Sequence, residues 1–355
     1  MTKACNQSIL DQLVYSAATK RYIYGAVFYI SSDDKRIDAI SACGDMQEDS
    51  HYFIASINKL FVSSIILRLS ATKILDLYDK ISKYLSDEIL RGLHIYKGKE
   101  YSYDLSILHL ISQTSGLPCY LTDKQNNGGK VMKELEASID QPWPVDKVIQ
   151  RVREMKTHFS PGQRGCAKYT DTNHQILGLI IENITGEPIH VVLSKLFQEL
   201  GLSQTYVYEE SKSEKFVPIR YKTKIMHIPM FLNSTRNDII STARDQMTFL
   251  KAFFNGYFFP KERLSELEKW NKIFFPFQYG IGIERFSLPR ILSPFQPVPS
   301  MLGHCGSTGS VAFYIPNEKL YITGTTNQQA KPNIAFQTMI KIIQATKSLS
   351  LTKTA

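Results

Sequence analysis

Runs of residues typical of β-strands lie near both ends of this chain, and helical periodicity fills the stretch between them. Tyr22–Ile30 and Ile37–Cys43 are rich in β-branched and aromatic residues and flank a polar turn, which predicts a hairpin. Similar runs return only late, at Tyr279–Glu284, Val311–Ile315 and Leu320–Gly324. Because strands must pair to satisfy their backbone groups, we expect the two ends of the chain to meet in one α/β lobe.

The middle of the chain predicts a second lobe. Residues from about 75 to 205 are mainly helical in pattern and are interrupted by Gly- and Pro-containing turns. We therefore predict an α/β lobe formed by residues 1–74 and 206–355, with an all-helical lobe of residues 75–205 inserted into it. The spacing of apolar residues predicts individual helices over residues 7–19, 57–69, 176–184 and 333–346.

Composition excludes several classes of protein. Hydrophobic residues make up 43% and charged residues 21% of the 355 positions, which is typical of a globular chain rather than a disordered or fibrous one. No apolar run approaches the ~18 residues that a membrane span needs. Lys and Arg exceed Asp and Glu by 42 − 33 = 9, but the basic residues are scattered. We therefore predict no nucleic-acid partner and no membrane span.

Cysteine and histidine spacing argues against a metal or redox centre. The five cysteines include no CxxC pair, and the eight histidines include no HxH or HExxH arrangement, which disfavours a metallo-hydrolase. The N-terminal residues contain no apolar signal core. We predict no metal, no cofactor and a cytoplasmic location with reduced thiols, provided that no leader was removed.

Ser56 and Lys59 form the first candidate catalytic pair. Residues three apart share one face of a helix, so a serine at the helix start meets a lysine one turn later. The hydroxyl becomes a nucleophile when a base accepts its proton, and a lysine is such a base only where its charged form is disfavoured. The alternative is a serine that caps the helix and a lysine that snorkels to solvent. The same spacing recurs three times elsewhere in the chain, but not at an apolar helix start.

Two later segments carry further candidates. Tyr169 precedes the helix over residues 176–184, where its phenol could shuttle a proton or simply be half-buried. His304 lies in a glycine-rich segment that either lets backbone approach a ligand closely or only turns into a strand. Cys305 is disfavoured as a nucleophile, because it directly follows His304 in an extended segment whose neighbouring side chains face opposite ways.

Together these segments resemble the serine β-lactamase and penicillin-binding-protein superfamily, and within it the class C-like branch. The three motifs of that family are Ser-x-x-Lys, Tyr-x-Asn or a variant, and Lys/His-x-Gly, and their order matches Ser56–Lys59, Tyr169–Asp171 and His304–Gly306. Accessory segments match as well, over a region of about residues 8–345: Phe53–Ser56, Leu108–Pro118 (compare HLLSHTSGLP), Phe159–Gly162 (F-x-P-G), Ser241–Asp245 (STARD) and Gly303–Gly309 (GHTGSTG).

The resemblance implies a fold and a role for each residue. The fold is a β-lactamase/transpeptidase-like one, with an antiparallel sheet flanked by terminal helices and the active site in the cleft between the two lobes. Ser56 is the acylated nucleophile, and Lys59 and Tyr169 are the proton-transfer pair. The backbone N–H groups of Ser56 and Ser307 form the oxyanion hole. The substrate-binding positions are Asp171, His304, Cys305 and Gly306.

Three departures from the family pattern affect what we expect. Gln113 replaces a usual histidine at a position that we interpret as structural. Asp171 replaces asparagine and adds an acceptor near Lys59 that stabilises the charged lysine. Cys305 replaces threonine and puts a thiol beside the substrate-lining strand. His304 stands where many relatives have lysine, and a neutral imidazole anchors a carboxylate poorly, although acidification to pH 6 is expected to charge it partly.

The resulting prediction is a serine hydrolase that forms an acyl-enzyme on a small ester or amide. The alternatives are a D-stereospecific peptidase or amidase, a D-Ala-D-Ala carboxypeptidase or β-lactamase, an acyltransferase, and a non-catalytic binding module of the same fold. The module is disfavoured because Ser56, Lys59 and Tyr169 are all present. The pattern leaves the substrate and the oligomeric state open.

Overall fold

Helices are the main regular structure of residues 75–205, but Ile95–Tyr96 pairs with Lys99–Glu100, so the prediction that this stretch is all-helical is wrong. The computed structural model describes residues 3–125, 128–292 and 297–351. Its helices are α1 (Lys3–Ala18), α2 (Asn58–Ala71), α3 (Asp87–Leu90), α4 (Ile107–Ile111), α5 (Val131–Glu136), α6 (Val145–Glu154), α7 (Asp171–Thr185), α8 (Ile189–Glu199), α9 (Pro229–Thr235), α10 (Ala243–Phe254), α11 (Leu264–Leu267) and α12 (Asn333–Leu351). Its strands are β1 (Gly25–Ser32), β2 (Asp38–Gly44), β3 (Tyr52–Phe53), β4 (Ile95–Tyr96), β5 (Lys99–Glu100), β6 (Tyr206–Val207), β7 (Arg220–Tyr221), β8 (Lys224–Ile225), β9 (Ile239–Ser241), β10 (Asn271–Phe274), β11 (Phe277–Tyr279), β12 (Glu284–Phe286), β13 (Met301–Cys305), β14 (Ser310–Ile315) and β15 (Leu320–Thr325).

Strands from both ends of the chain form one antiparallel sheet of eight strands, as the strand-like runs predict. The order is β10-β11-β12-β13-β14-β15-β1-β2. The N-terminal hairpin joins the C-terminal strands through β1 and β15, with Val27 opposite Thr325 and Ser32 opposite Leu320. This sheet, together with the helices, confirms the predicted α/β class with an antiparallel sheet.

The two faces of the sheet bury different helices. Along β1, Ala26, Phe28 and Ile30 pack into an apolar cluster with residues of α1 and α12, the two terminal helices. Val27, on the opposite face, belongs to a second and larger cluster that includes α2 and α10. This alternation follows from the two-residue period of a strand and puts the sheet between the terminal helices and the helical middle of the chain.

One predicted strand is wrong. Tyr279–Glu284 was expected to be continuous, but it spans the end of β11, a turn and the first residue of β12. Two glycines make the turn: Gly282 has a left-handed φ of +76°, and a side chain at Gly280 would lie 2.2 Å from the Leu267 carbonyl oxygen. Ile281 and Ile283, which alternate with these glycines, resemble the apolar residues of a buried strand. The sequence pattern therefore did not reveal the turn.

A second, smaller sheet leads to the first motif. It has the order β3-β9-β6, so the two residues of β3 pair with a strand almost 190 positions later in the chain. The short strand β3 ends three residues before Ser56, so its pairing with β9 fixes the approach of the chain to Ser56. The exact division at residues 74 and 206 stays a prediction.

Across the described ranges, no single helix combines the length and apolar content of a membrane span, although α7 and α8 do so as a pair bent by 80°.

Candidate active site

Ser56 lies at the junction of β3 and α2. Residues Ala55–Ile57 form a single 3₁₀ turn, and Ala55 has a left-handed φ of +49°, so the chain turns sharply just before Ser56. Helix α2 begins at Asn58, and its N-cap position is occupied by Ile57, without a side-chain cap. The alternative interpretation of Ser56 as the capping serine of this helix is therefore wrong.

Lys59 points back toward Ser56 rather than out to solvent. Its Nζ donates to Ser56 Oγ at 3.0 Å and to Asp171 Oδ1 at 2.6 Å. The lysine side chain is only 4% exposed, so it does not snorkel as the alternative required. The predicted meeting of Ser56 and Lys59 on one helix face is confirmed.

Asp171 is the first residue of α7 and faces two buried partners. Its second carboxylate oxygen, Oδ2, accepts a hydrogen bond from the Cys119 thiol at 3.3 Å. The helix N-terminus favours a negative charge at this position, and the ammonium of Lys59 supplies an opposite one. The acceptor that the departure from asparagine adds therefore lies in direct contact with Lys59.

Tyr169 lies in the loop just before α7. Lys59 Nζ is 5.3 Å from the centre of its ring. Burial raises the pKa of the phenol well above its ordinary value, and the Asp171 carboxylate acts in the same direction, while an interaction with the Ser56 side chain opposes both. The phenol therefore holds its proton at neutral pH, and its hydroxyl is available as a donor.

Gln113 holds the Tyr169 loop in place, which supports its interpretation as a structural position. Its side-chain oxygen accepts from the Thr170 N–H and from the Asn173 amide, both at 2.9 Å. Its backbone oxygen accepts from the Lys168 N–H at 2.9 Å. These hydrogen bonds fix the backbone on both sides of Tyr169.

The turn that carries Ser307 is tied directly to the segment before Ser56. The hydroxyls of Thr308 and Ser310 donate to the carbonyl oxygens of Phe53 and Ile54, at 3.1 and 2.8 Å. A side chain at Gly306 would lie 2.5 Å from the Ile54 oxygen, so only glycine allows this approach. Gly306 therefore lets the turn pack closely against the backbone of Ile54 rather than against a ligand. Ser307, the next residue, lines the same cleft as Ser56.

His304 is buried behind Tyr169. Its side chain is 1% exposed, its ring centre is 6.0 Å from that of Tyr169, and its Nδ1 is 2.8 Å from the Cys305 carbonyl oxygen. Burial, reinforced by the Lys59 charge, lowers its pKa to about 3, so the imidazole is neutral as expected. The expectation that acidification to pH 6 charges it is wrong, because desolvation disfavours the cation well below that pH.

Cys305 is paired with a residue that the sequence did not single out, Glu284. Glu284 Oε2 accepts from both the backbone N–H and the thiol of Cys305, each at 3.2 Å. Burial raises the pKa of the Glu284 carboxyl to about 7, and burial followed by the Glu284 charge raises that of the thiol well above its ordinary value. Cys305 is thus held as a thiol, which disfavours it as a nucleophile for a different reason from the one that the sequence suggested.

The expectation that His304 and Cys305 face opposite ways is wrong. Donor atoms of Glu284, His304 and Cys305 lie within 4.8 Å of one another, because the imidazole turns toward the Cys305 carbonyl and brings Nδ1 to 3.8 Å from Glu284 Oε2. These atom types can ligate a metal ion. The raised pKa of the Cys305 thiol opposes metal binding, because a metal would have to displace its proton.

The four side chains that the motifs bring together open into one cleft. Ser56, Lys59, Asp171 and Ser307 line it, whereas the lining that the described residues form does not include Tyr169, His304, Cys305 or Gly306. The apolar part of the lining includes Phe53, Leu121, Met132, Leu135, Met226 and Phe231.

Several polar residues of the cleft were not predicted from the sequence, and three of them bear on its chemistry. Asn58, His174 and Asp238 line it and are at most 8% exposed. Asn58 lies inside the Ser-x-x-Lys motif, and His174 lies five residues after Tyr169. Their closeness in the chain to motif residues could therefore have indicated that they line the cleft. Asp238 shows none in the sequence, because it reaches the cleft from a strand-flanking turn far from all three motifs.

The family assignment rests on a match over nearly the whole chain. The family model described as Beta-lactamase matches residues 10–344, which include all three motifs and the sheet that carries the third. The chain belongs to the Beta-lactamase family. The resemblance inferred from the motifs is confirmed, and with it the predicted fold.

Relatives of this Beta-lactamase family member are distant. Protein flp of Staphylococcus aureus is 25% identical over 226 residues, which are 61% of this chain but only 41% of that protein, so the match spans less than half of its length. Among solved structures, D-amino acid amidase from Ochrobactrum anthropi SV3 covers 97% of this chain and 98% of its own, with a TM-score of 0.76 and 19% identity. EstCE1, a hydrolase with promiscuous acyltransferase activity, covers 95% and 98%, with a TM-score of 0.72 and 17% identity. At these identities the solved structures establish the fold.

Proposed function

We propose that this protein is a serine hydrolase that forms an acyl-enzyme on Ser56 with a small ester or amide. The observation that carries the proposal is the 3.0 Å hydrogen bond between Lys59 Nζ and Ser56 Oγ in a cleft that also contains Ser307. Residues of both predicted lobes line the cleft: Ser56 and Ser307 belong to the α/β lobe and Asp171 to the helical lobe. This supports an active site between the two lobes.

The geometry supports a division of roles. Ser56 Oγ attacks the substrate carbonyl, and the negative charge that develops on the carbonyl oxygen is stabilised by the backbone N–H groups of Ser56 and Ser307. Tyr169 keeps its proton at neutral pH, so it is suited to donate to the leaving group rather than to act as the resting base. Lys59 is then the base in contact with Ser56. Water finally attacks the acyl group and releases the acid.

The ion pair with Asp171 sets a condition on this base. Lys59 accepts the Ser56 proton only when it is neutral, whereas Asp171 at 2.6 Å favours the ammonium. The ion pair therefore restrains the proposed base, and removing the Asp171 charge should release it.

Carboxylate-bearing substrates such as penicillins and D-Ala-D-Ala peptides fit this cleft less well. Among the described lining residues the one cation is Lys59, and Asp171 already neutralises it. His304 is neutral and buried. A D-stereospecific amidase, supported by the fold shared with D-amino acid amidase, is the second candidate, and transfer of the acyl group to an amine or alcohol is the third.

Covalent labelling tests the proposal. A fluorophosphonate probe should add one mass increment to the peptide that contains Ser56, and Ser56→Ala should lose the label and at least ~10³-fold in rate. Ser203→Ala, at an exposed serine outside the cleft lining, is the matched control and should retain both. A label on Cys305, or an active Ser56→Ala variant, contradicts the assignment.

A further inference from the structure

We infer that Asn58, His174 and Asp238 form a subsite that binds a primary ammonium group of the substrate, so that the preferred substrates are esters or amides of amine-bearing acids. This inference rests on the proposed function, because it assigns the substrate class of the same cleft. It stands on the hydrogen-bonding capacity that these three buried side chains leave unused.

His174 is the first of the three. It is 3% exposed and lines the cleft, and neither of its ring nitrogens has a hydrogen-bond partner among the described residues. Burial, followed by the Lys59 charge, lowers its pKa well below its ordinary value, so the ring is neutral and offers one acceptor and one donor nitrogen. Buried polar atoms are rarely left unpaired in proteins, because each costs about 1–3 kcal/mol.

Asn58 contributes an acceptor whose orientation is fixed. Its Nδ2 donates to the backbone oxygen of Asn237 at 3.0 Å, which determines which end of the amide is nitrogen. The other end, Oδ1, is buried and has no partner within the described part of the chain. An unpaired carbonyl oxygen in the cleft accepts hydrogen bonds and repels carboxylates.

Asp238 supplies the charge. One of its carboxylate oxygens accepts from the Thr235 hydroxyl at 2.8 Å, and no described residue donates to the other. Burial raises the pKa of this carboxyl to about 7, since water is withdrawn from its charged form, and a bound cation would restore the stabilisation that burial removes.

The charge balance of the cleft selects a cation. Its described charged lining residues are Lys59, Asp171 and Asp238, and Lys59 already pairs with Asp171. Asp238 is therefore the unpaired acidic group of the cleft, and its pKa of about 7 means that a bound cation would draw it into its ionised form. A primary ammonium carries three N–H donors, and the subsite offers three acceptors: Asn58 Oδ1, the free oxygen of Asp238 and the acceptor nitrogen of His174. The neighbouring apolar side chains, including Met226 and Phe231, suit an apolar group on the same molecule.

Matched substrates test the inference through turnover. Phenylalanine p-nitroanilide, as both enantiomers, carries the amine, and 3-phenylpropanoyl p-nitroanilide lacks it. We expect kcat/KM to be at least ~10-fold higher for one enantiomer of the amine than for the desamino compound, and Asp238→Asn to reduce this ratio by about the same factor. Asp49→Asn, at an exposed aspartate outside the cleft lining, should leave the ratio unchanged. Equal kcat/KM values in the wild type, or an equal loss for both substrates in Asp238→Asn, overturn the inference.

Binding without turnover separates this inference from the proposed function. Isothermal titration should give a dissociation constant at least ~10-fold lower for 2-phenylethylamine than for 3-phenyl-1-propanol or 3-phenylpropionate in the wild-type protein. If the amine binds preferentially but Ser56 takes no fluorophosphonate label, the ammonium site stands and the serine mechanism fails. If Ser56 is labelled but the three compounds bind equally, or the carboxylate binds best, the serine mechanism stands and the ammonium site is wrong.

Discussion

Lys59 and Asp171, 112 positions apart in the chain, meet at 2.6 Å beside Ser56, with side chains that are 4% and 16% exposed. Because little water reaches the pair, solvent screens its attraction less than it would at the surface. The contact places a mostly buried carboxylate next to the residue that we propose as the base of the reaction.

Asp171→Asn should raise the rate at neutral pH. Asparagine keeps the size of the side chain but removes the negative charge that pairs with Lys59 at 2.6 Å. We expect kcat/KM for p-nitrophenyl acetate at pH 7 to increase by about 10-fold, equivalent to about 1.4 kcal/mol. Asp146→Asn, which alters an exposed first-turn aspartate of α6, is the control. An unchanged or lower rate in Asp171→Asn contradicts the view that this ion pair restrains Lys59 as the base.

Lys59→Arg should be as inactive as Lys59→Ala. A guanidinium keeps the positive charge opposite Asp171 but cannot accept a proton at accessible pH. We expect kcat to fall by about 10²–10⁴-fold in both variants, the usual contribution of a general base. Lys73→Arg is the matched control, since Ser70 and Lys73 have the same spacing but Lys73 is exposed. An active Lys59→Arg variant would refute a lysine base.

His304 should not titrate between pH 5 and 8. Its pKa is lowered to about 3 because the ring is buried and Lys59 lies nearby, so the imidazole stays neutral throughout this interval. Side-chain NMR of the histidine rings measures this directly, and His304→Gln identifies the signal by its loss. A chemical-shift step with a midpoint near pH 6 would restore the expectation that mild acid charges this residue.

Glu284→Gln should stabilise the protein at alkaline pH. The pKa of Glu284 is raised by burial from 4.5 to about 7 in the folded protein, so the carboxyl's contribution to stability is fully present below about pH 4.5 and is lost as the pH rises to 7. The unfolded chain ionises freely over that interval, which amounts to roughly 3 kcal/mol at 1.4 kcal/mol per unit. Glutamine keeps an oxygen that can accept from Cys305 and does not titrate.

Urea unfolding at pH 5 and pH 8 measures the difference. The free energy of unfolding of Glu284→Gln, relative to wild type, should increase between the two pH values. Glu262→Gln, at an exposed glutamate, supplies the baseline and should show no such change. A parallel dependence on pH in wild type and Glu284→Gln would mean that this carboxyl is ionised at the same pH in the folded and unfolded chains.

The local features of this protein were predictable because they depend on near neighbours in the chain. Helical spacing predicted α1, α2, α7 and α12 to within a few residues, and the polar turn after Ile30 predicted the first hairpin. The Ser56–Lys59 contact is of the same kind, since a helix brings residues three apart onto one face. The prediction of a continuous strand over Tyr279–Glu284 failed because the apolar residues of the turn have the composition of a buried strand.

The sequence by itself thus determined these local elements, the order of the three motifs and, through them, the family. Only the tertiary structure decided which distant groups share an environment: the Asp171 carboxylate against Lys59, Glu284 against Cys305, and Asp238 in the cleft beside His174. The physical reason is that a pKa, or an unpaired hydrogen-bonding atom, depends on water excluded by side chains from many parts of the chain. No local pattern records that exclusion.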